Sequence, residues 1–101
     1  MKSYNELEAL VIAWATQKGI FKNGTPSRQC DKTLEEVQEL SDAIFDNNKE
    51  EIVDALGDIL VTIIIQAELQ GVSLVECLES AYNVIAKRSG VMINGQFVKN
   101  A

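Results

Sequence analysis

The segment from about Lys49 to Leu69 carries Ile52, Val53, Leu56, Ile59, Leu60, Ile63 and Ile64 at helical spacing, and Val61 and Ile65 spread its apolar surface almost all the way round. A helix apolar on most sides must be covered on most sides, so this segment dictates a helical bundle with itself near the centre. A chain of 101 residues supplies few other helices. The expected cover is therefore a second subunit, in a homodimer or a dimer of dimers; a monomeric bundle built around this helix is the alternative. The same segment also carries Asp54 and Asp58, and carboxylates on so apolar a helix are costly to bury unpaired.

Three further helices follow from start and stop signals. The first runs from about Ser3 to Lys18, with Ser3 and Glu6 in a capping-box pattern and Leu7, Leu10, Val11 and Trp14 on one face. The segment GIFKNGTPSRQCDK reads as an ordered loop, because Gly19, Gly24, Pro26 and Ser27 concentrate turn chemistry there. Asp31 or Thr33 then caps a helix to about Phe45, and Asn47-Asn48 breaks it before the apolar segment. A last helix starts at Ser73 with Glu76 three residues on, and ends near Arg88. Asn94-Gly95 in the tail predicts a turn or small hairpin. The expected fold class is all-α, a four-helix bundle-like domain spanning residues 1–101 as one unit.

Composition narrows the chemistry. The formal net charge is −6, which repels a phosphate backbone and argues against nucleic-acid binding. The absence of His removes Ser-His-Asp and Cys-His nucleophile pairs and His-ligated zinc or haem, so a catalytic metal must sit on oxygen. Cys30 and Cys77 form no C-x-x-C pair and fit a reduced cytoplasmic compartment, with one disulfide between them as the lesser alternative. Neither an export signal nor a membrane-crossing stretch is visible, and no membrane partner is expected.

Glu35, Glu36, Glu39, Asp42, Asp46, Glu50, Glu51, Asp54 and Asp58 crowd into one quarter of the chain. At about 100° per residue, Glu35, Glu39, Asp42 and Asp46 share one stripe with Glu36 to its side, and Glu51, Asp54 and Asp58 share another. Antiparallel packing across the short break turns these stripes toward each other. Facing carboxylates repel unless a cation lies between them, and an all-oxygen cluster suits Mg²⁺, or Mn²⁺ as a substitute. After Glu79 there is no acid, whereas Lys87, Arg88 and Lys99 all lie in that stretch, where phosphates can be held. No glycine-rich phosphate cradle is present. An acidic helical module holding a structural cation or a basic partner without chemistry is the competing reading.

These residues resemble the MazG-type all-α nucleoside triphosphate pyrophosphohydrolases, from about Trp14 to Lys99. The likeness rests on Glu35-Glu36-Val37-Gln38-Glu39, then Glu51-Ile52-Val53-Asp54, Leu56-Gly57-Asp58-Ile59-Leu60, Ala81-Tyr82-Asn83, Lys87-Arg88, Gly90 and Gly95-Gln96-Phe97-Val98-Lys99. Eleven residues separate Glu39 from Glu51, slightly fewer than the family's usual spacing, which requires a tight turn. The resemblance implies hydrolysis of a nucleoside triphosphate, deoxy or non-standard, to the monophosphate and pyrophosphate by a dimer or tetramer, in nucleotide-pool control or sanitation. It implies Glu36, Glu39, Glu51 and Asp54 as Mg²⁺ ligands, and Asn83, Lys87, Arg88 and Lys99 on the phosphates. Without His, the general base for a water attacking the α-phosphorus falls to a carboxylate, Glu35 first and Asp58 second. Trp14 is the first candidate to line the base pocket, with core packing as its other role, and Tyr82 and Phe97 are comparable.

Overall fold

The computed structural model describes residues 1–100. Five helices and one hairpin follow in order: α1 (Tyr4–Gln17), α2 (Ile20–Asn23), α3 (Pro26–Phe45), α4 (Lys49–Gln70), α5 (Leu74–Ile85), β1 (Gly90–Ile93) and β2 (Gln96–Lys99). The chain is thus mostly helical, as expected, with one helix more than the four expected and a two-stranded sheet.

Local chemistry explains most of the boundaries. Ser3 and Glu6 form the full capping box at α1, and Asn48 and Ser73 cap α4 and α5 through side-chain oxygens that accept from the backbone N–H three residues on. The region expected to be an ordered loop is different. Gly19, at φ 75°, turns the chain into the single-turn α2, and Thr25 caps an α3 that begins at Pro26, not at Asp31 or Thr33. Proline at the first helical position forfeits no hydrogen bond, since that N–H has no partner inside the helix. The tail does form a hairpin: Ile93 pairs with Gln96 around Asn94 and Gly95, both at positive φ, as a type I′ turn requires.

The scaffold of the chain is the α3–α4 hairpin, with α1 laid against α4. Register between α3 and α4 is set by polar groups inside the seam. Gln66 Nε2 donates to Pro26 O at 2.9 Å, Gln29 Nε2 to Thr62 O at 3.2 Å, and Thr33 Oγ1 to Thr62 Oγ1 at 2.9 Å. The hydroxyl of Thr62, itself buried, donates to Ile59 O at 2.7 Å. Gln66 Oε1 in turn accepts from Gln70 Nε2 at 3.3 Å, which ties the end of the network back into α4.

The core is thin. It consists of Ala15, Ala43, Ala55, Ala67, Ile64 and Ile65, with no large side chain fully buried. Alanines allow the helices to approach closely, and Ala43, only 1% exposed, has no room to grow. Ala43→Leu should cost about 1–3 kcal/mol in urea unfolding through overpacking; a variant of wild-type stability would show that the seam yields at that point.

Beyond its first turns α5 and the hairpin lie away from the α1–α3–α4 body, and Leu78 remains 69% exposed. The chain exposes 7930 Å², whereas a self-sufficient monomer of 11.1 kDa should expose about 5,700 Å², leaving an excess of about 2,200 Å². Its radius of gyration is 16.0 Å against about 13 Å for a compact chain of this length. Cys30 and Cys77 are free thiols that line one apolar cavity between α3 and α5. Among the described residues no helix is long and apolar enough to cross a membrane.

Candidate active site

Antiparallel register carries the acidic residues of α3 and α4 to each other just beyond the Thr33–Thr62 contact. Glu36, Glu39 and Asp58 each offer a carboxylate oxygen, and the three oxygens lie within 4.8 Å of one another. Glu36 is half-buried, and its Oε2 is buried with no hydrogen-bond partner. Such an orphaned acceptor is rare in a folded protein and asks for a proton or a cation. The hydrogen bond with Glu39, then burial, then the charges of Glu39 and Asp58 push the Glu36 carboxyl above its ordinary range. Three oxygens of one sign held this close fit a hard divalent cation, and that is the test the site passes.

The groove continues outward. Glu39, Asp42, Glu51, Asp54, Ala55 and Asp58 line a cavity of about 400 Å³. Glu36, Glu39, Glu51 and Asp54, the four implied ligands, therefore all lie on this one acidic seam, with Glu51 and Asp54 in the outer part. Asp58, expected as an alternative base, sits inside the triad. Asp42 was part of the sequence stripe but of no expected ligand set, and its place in the groove follows from its position one turn beyond Glu39. Glu35 points elsewhere: its Oε2 meets Lys32 Nζ at 2.9 Å, both groups exposed, and the pair holds the Lys32 ammonium above its ordinary value.

Glu35 and Lys32 also line a second cavity, of about 660 Å³, between α1, α2, α3 and α4. Trp14 forms one wall at 49% exposure, so it is not a core residue, and Ile20, Ile65, Thr62 and Gln29 form others. Sequence reading singled out Trp14 here but missed Gln29, because that stretch reads as loop. The signal was available in Thr25-Pro26, a cap followed by proline at the first helical position. The aromatic cavity and the acidic groove are neighbours along α3, since Glu35 lines one and Glu36 belongs to the other.

The residues expected on the phosphates are not brought to either cavity, although Lys18, Arg28 and Lys32 do line the aromatic one. Asn83 lies on α5, Lys87 and Arg88 follow its end, and Lys99 lies in β2. Among the described residues none of these four lines a cavity with the acidic cluster, and Lys87, Arg88 and Lys99 join no ion pair.

Comparison with known proteins bears on this arrangement. The family model for phosphoribosyl-ATP pyrophosphohydrolase matches residues 12–83, which spans the aromatic cavity and the acidic groove and stops at Asn83. Among solved structures the chain is similar to the cyanophage S-2L MazG-like pyrophosphohydrolase bound to dGDP and three catalytic Mn²⁺ ions per active site, at 24% identity and a TM-score of 0.73, over 100% of both chains. No curated protein sequence matches significantly. With its all-α MazG-like fold, and with the family model covering every element from α1 into α5, the chain belongs to the phosphoribosyl-ATP pyrophosphohydrolase family, hydrolases that act on the pyrophosphate bonds of nucleotides.

Proposed function

We propose that the chain hydrolyses nucleoside triphosphates, deoxynucleotides among them, to the monophosphate and pyrophosphate, in control or sanitation of the nucleotide pool. The observation that carries this reading is the orphaned Glu36 oxygen within a three-carboxylate cluster beside an aromatic cavity. Glu36, Glu39 and Asp58 would hold Mg²⁺, with Mn²⁺ as a substitute, and Glu51 and Asp54 lie along the same groove for further ions. When bound, such ions neutralise phosphate oxygens and lower the pKa of a coordinated water.

The remaining work falls to the chain itself. Trp14 offers a stacking face to the base, which sets the phosphates along α3 toward the acidic groove. Glu35, on the rim of the aromatic cavity one residue before Glu36, takes the proton from the water that attacks the α-phosphorus. Lys32 holds that carboxylate in place through their 2.9 Å contact. Pyrophosphate leaves against Asn83, Lys87, Arg88 and Lys99.

Those residues come from a second copy of the chain. The excess of about 2,200 Å² per chain is more than the roughly 1,000 Å² per partner that an obligate homodimer needs at the low end. An almost purely apolar cavity formed by Tyr4, Leu60, Ile63, Leu74, Val75 and Leu78 lies on that uncovered side. Covering it with a second protomer leaves a partner's α5 and hairpin free to reach over the groove. The assembly is a homodimer or a pair of them, in the cytoplasm.

Product analysis tests the reading directly. Purified protein is offered each common and several modified nucleoside triphosphates, and phosphoribosyl-ATP, with Mg²⁺ and with chelator. Monophosphate and pyrophosphate formed only with metal are expected. Diphosphate with orthophosphate would sink attack at the α-phosphorus, turnover of phosphoribosyl-ATP alone would move the substrate, and no turnover by folded, metal-binding protein would favour a non-catalytic acidic module.

A further inference from the structure

Polar contacts across the α3–α4 seam recur at one-turn intervals. Gln66 bonds the Pro26 carbonyl, and then Gln29 and Thr33 both meet Thr62, at 3.2 and 2.9 Å. One turn further along each helix, three residues after Thr33 and four before Thr62, stand Glu36 and Asp58. The acidic triad is thus the next step of the same ladder, where attraction gives way to like charges whose oxygens lie within 4.8 Å of one another. Beyond it, toward the turn between the helices, no side-chain hydrogen bond among the described residues joins α3 to α4. The Thr33–Thr62 contact is therefore the last cross-helix hydrogen bond before the repulsion.

We infer that Thr62 is a positioning residue for the cation held by Glu36, Glu39 and Asp58. Its hydroxyl is the middle of a relay. Thr33 Oγ1 donates to Thr62 Oγ1, which donates at 2.7 Å to the carbonyl of Ile59, the residue after Asp58. Two hydrogen bonds thereby join the turn of α3 that leads into Glu36 to the α4 peptide beside Asp58. Thr62 is only 7% exposed, so water does not compete for them. Carboxylates that repel must already be in place when the cation arrives, and a seam free to slide or splay would let them retreat. The relay holds them together. The inference rests on the triad being the metal site of the proposed reaction, and it names what keeps that site assembled.

Two substitutions separate the hydroxyl from the packing of this side chain. Thr62→Val keeps the shape and removes the relay. Thr33 still has the Gln29 carbonyl to donate to, at 3.3 Å, so no donor is orphaned and the melting temperature in chelator should stay close to that of the unaltered protein. Its Kd for Mn²⁺, read from the electron paramagnetic resonance signal of the free ion, should rise about tenfold, as for loss of a group that supports metal ligands. Thr62→Ser keeps the hydroxyl and loses a buried methyl, so it should melt about 4–8 °C lower and bind Mn²⁺ as the unaltered protein does. Affinity and stability then fail in different variants, which a merely structural role would not allow. Thr33→Val breaks the same relay from the α3 side, should raise the Kd likewise, and decides the matter if Thr62→Val fails to fold. An unchanged Kd in the valine variants, or a Kd that follows the melting temperature through all three, would overturn the inference alone. Unaltered protein that binds no Mn²⁺ would overturn it together with the metal-dependent reading.

Discussion

Glu39→Gln is expected to lower the rate of pyrophosphate release at least about a hundredfold, since even residues that only support metal ligands typically cost 10–100-fold in affinity or activity. Glu39 belongs both to the close triad and to the outer groove, and it is the α3 carboxylate that does so, facing Asp58 of α4. The same substitution should leave the thermal midpoint unchanged or raise it. Glu39 and Asp58 both push the neighbouring Glu36 carboxyl upward, and removing one of those charges relieves repulsion that the metal-free protein must otherwise bear. Initial rates at saturating Mg²⁺ and a melting curve in chelator check both halves. A variant that keeps near-normal turnover removes Glu39 from the mechanism, and one that melts far lower makes the cluster structural.

A mixture of two inactive variants should regain activity. Glu39→Gln keeps the cationic tail and spoils the groove, whereas the Lys87→Ala, Arg88→Ala double variant keeps the groove and spoils the tail. If each site joins one chain's groove to another chain's tail, then random exchange between equal amounts yields one fully intact site in half of the dimers, about a quarter of wild-type turnover. A site assembled within one chain would give only the sum of the two residual rates. Among the described residues Lys87, Arg88 and Lys99 line neither the acidic groove nor the aromatic cavity, which makes the first outcome the expected one. Leu78→Arg provides the companion result. It places a charge in the apolar cavity of Tyr4, Leu60 and Ile63, and should lower the mass in light scattering and the rate together. A variant that dissociates yet keeps its rate would mean that each chain is a complete enzyme.

Helix ends were legible in the sequence wherever the signal is local. Ser3, Asn48 and Ser73 each satisfy a nearby backbone N–H, and a side chain three residues away needs no knowledge of the rest of the fold. The stretch after Gly19 failed that logic, because Gly24, Pro26 and Ser27 are turn residues by composition while Thr25-Pro26 is a helix start by position. The error hid Gln29 and the cavity it lines. A similar limit governed the acids. Helical spacing alone favours the stripe of Glu35, Glu39 and Asp42, whereas the seam lies to the side of it, so Glu36 meets Asp58 and Glu35 turns to Lys32. The motif likeness carried Glu36, but nothing in either reading showed that its oxygen would be left without a partner. Placement of the tail against its neighbours was beyond the sequence of one chain, because what covers Leu78 is not local to it.

The six small and aliphatic residues of the core make abundance itself a variable. A body held together by four alanines and two isoleucines has little apolar burial with which to offset the entropy of ordering 100 residues, so in the proposed dimer association would supply much of the stability. Mass action then ties the folded fraction to copy number: dilution should lower the melting temperature, and a cell making few chains would lose them to proteolysis before they meet. Catalytic capacity would rise more steeply than expression, giving a hydrolase of nucleotides a threshold below which it stays silent.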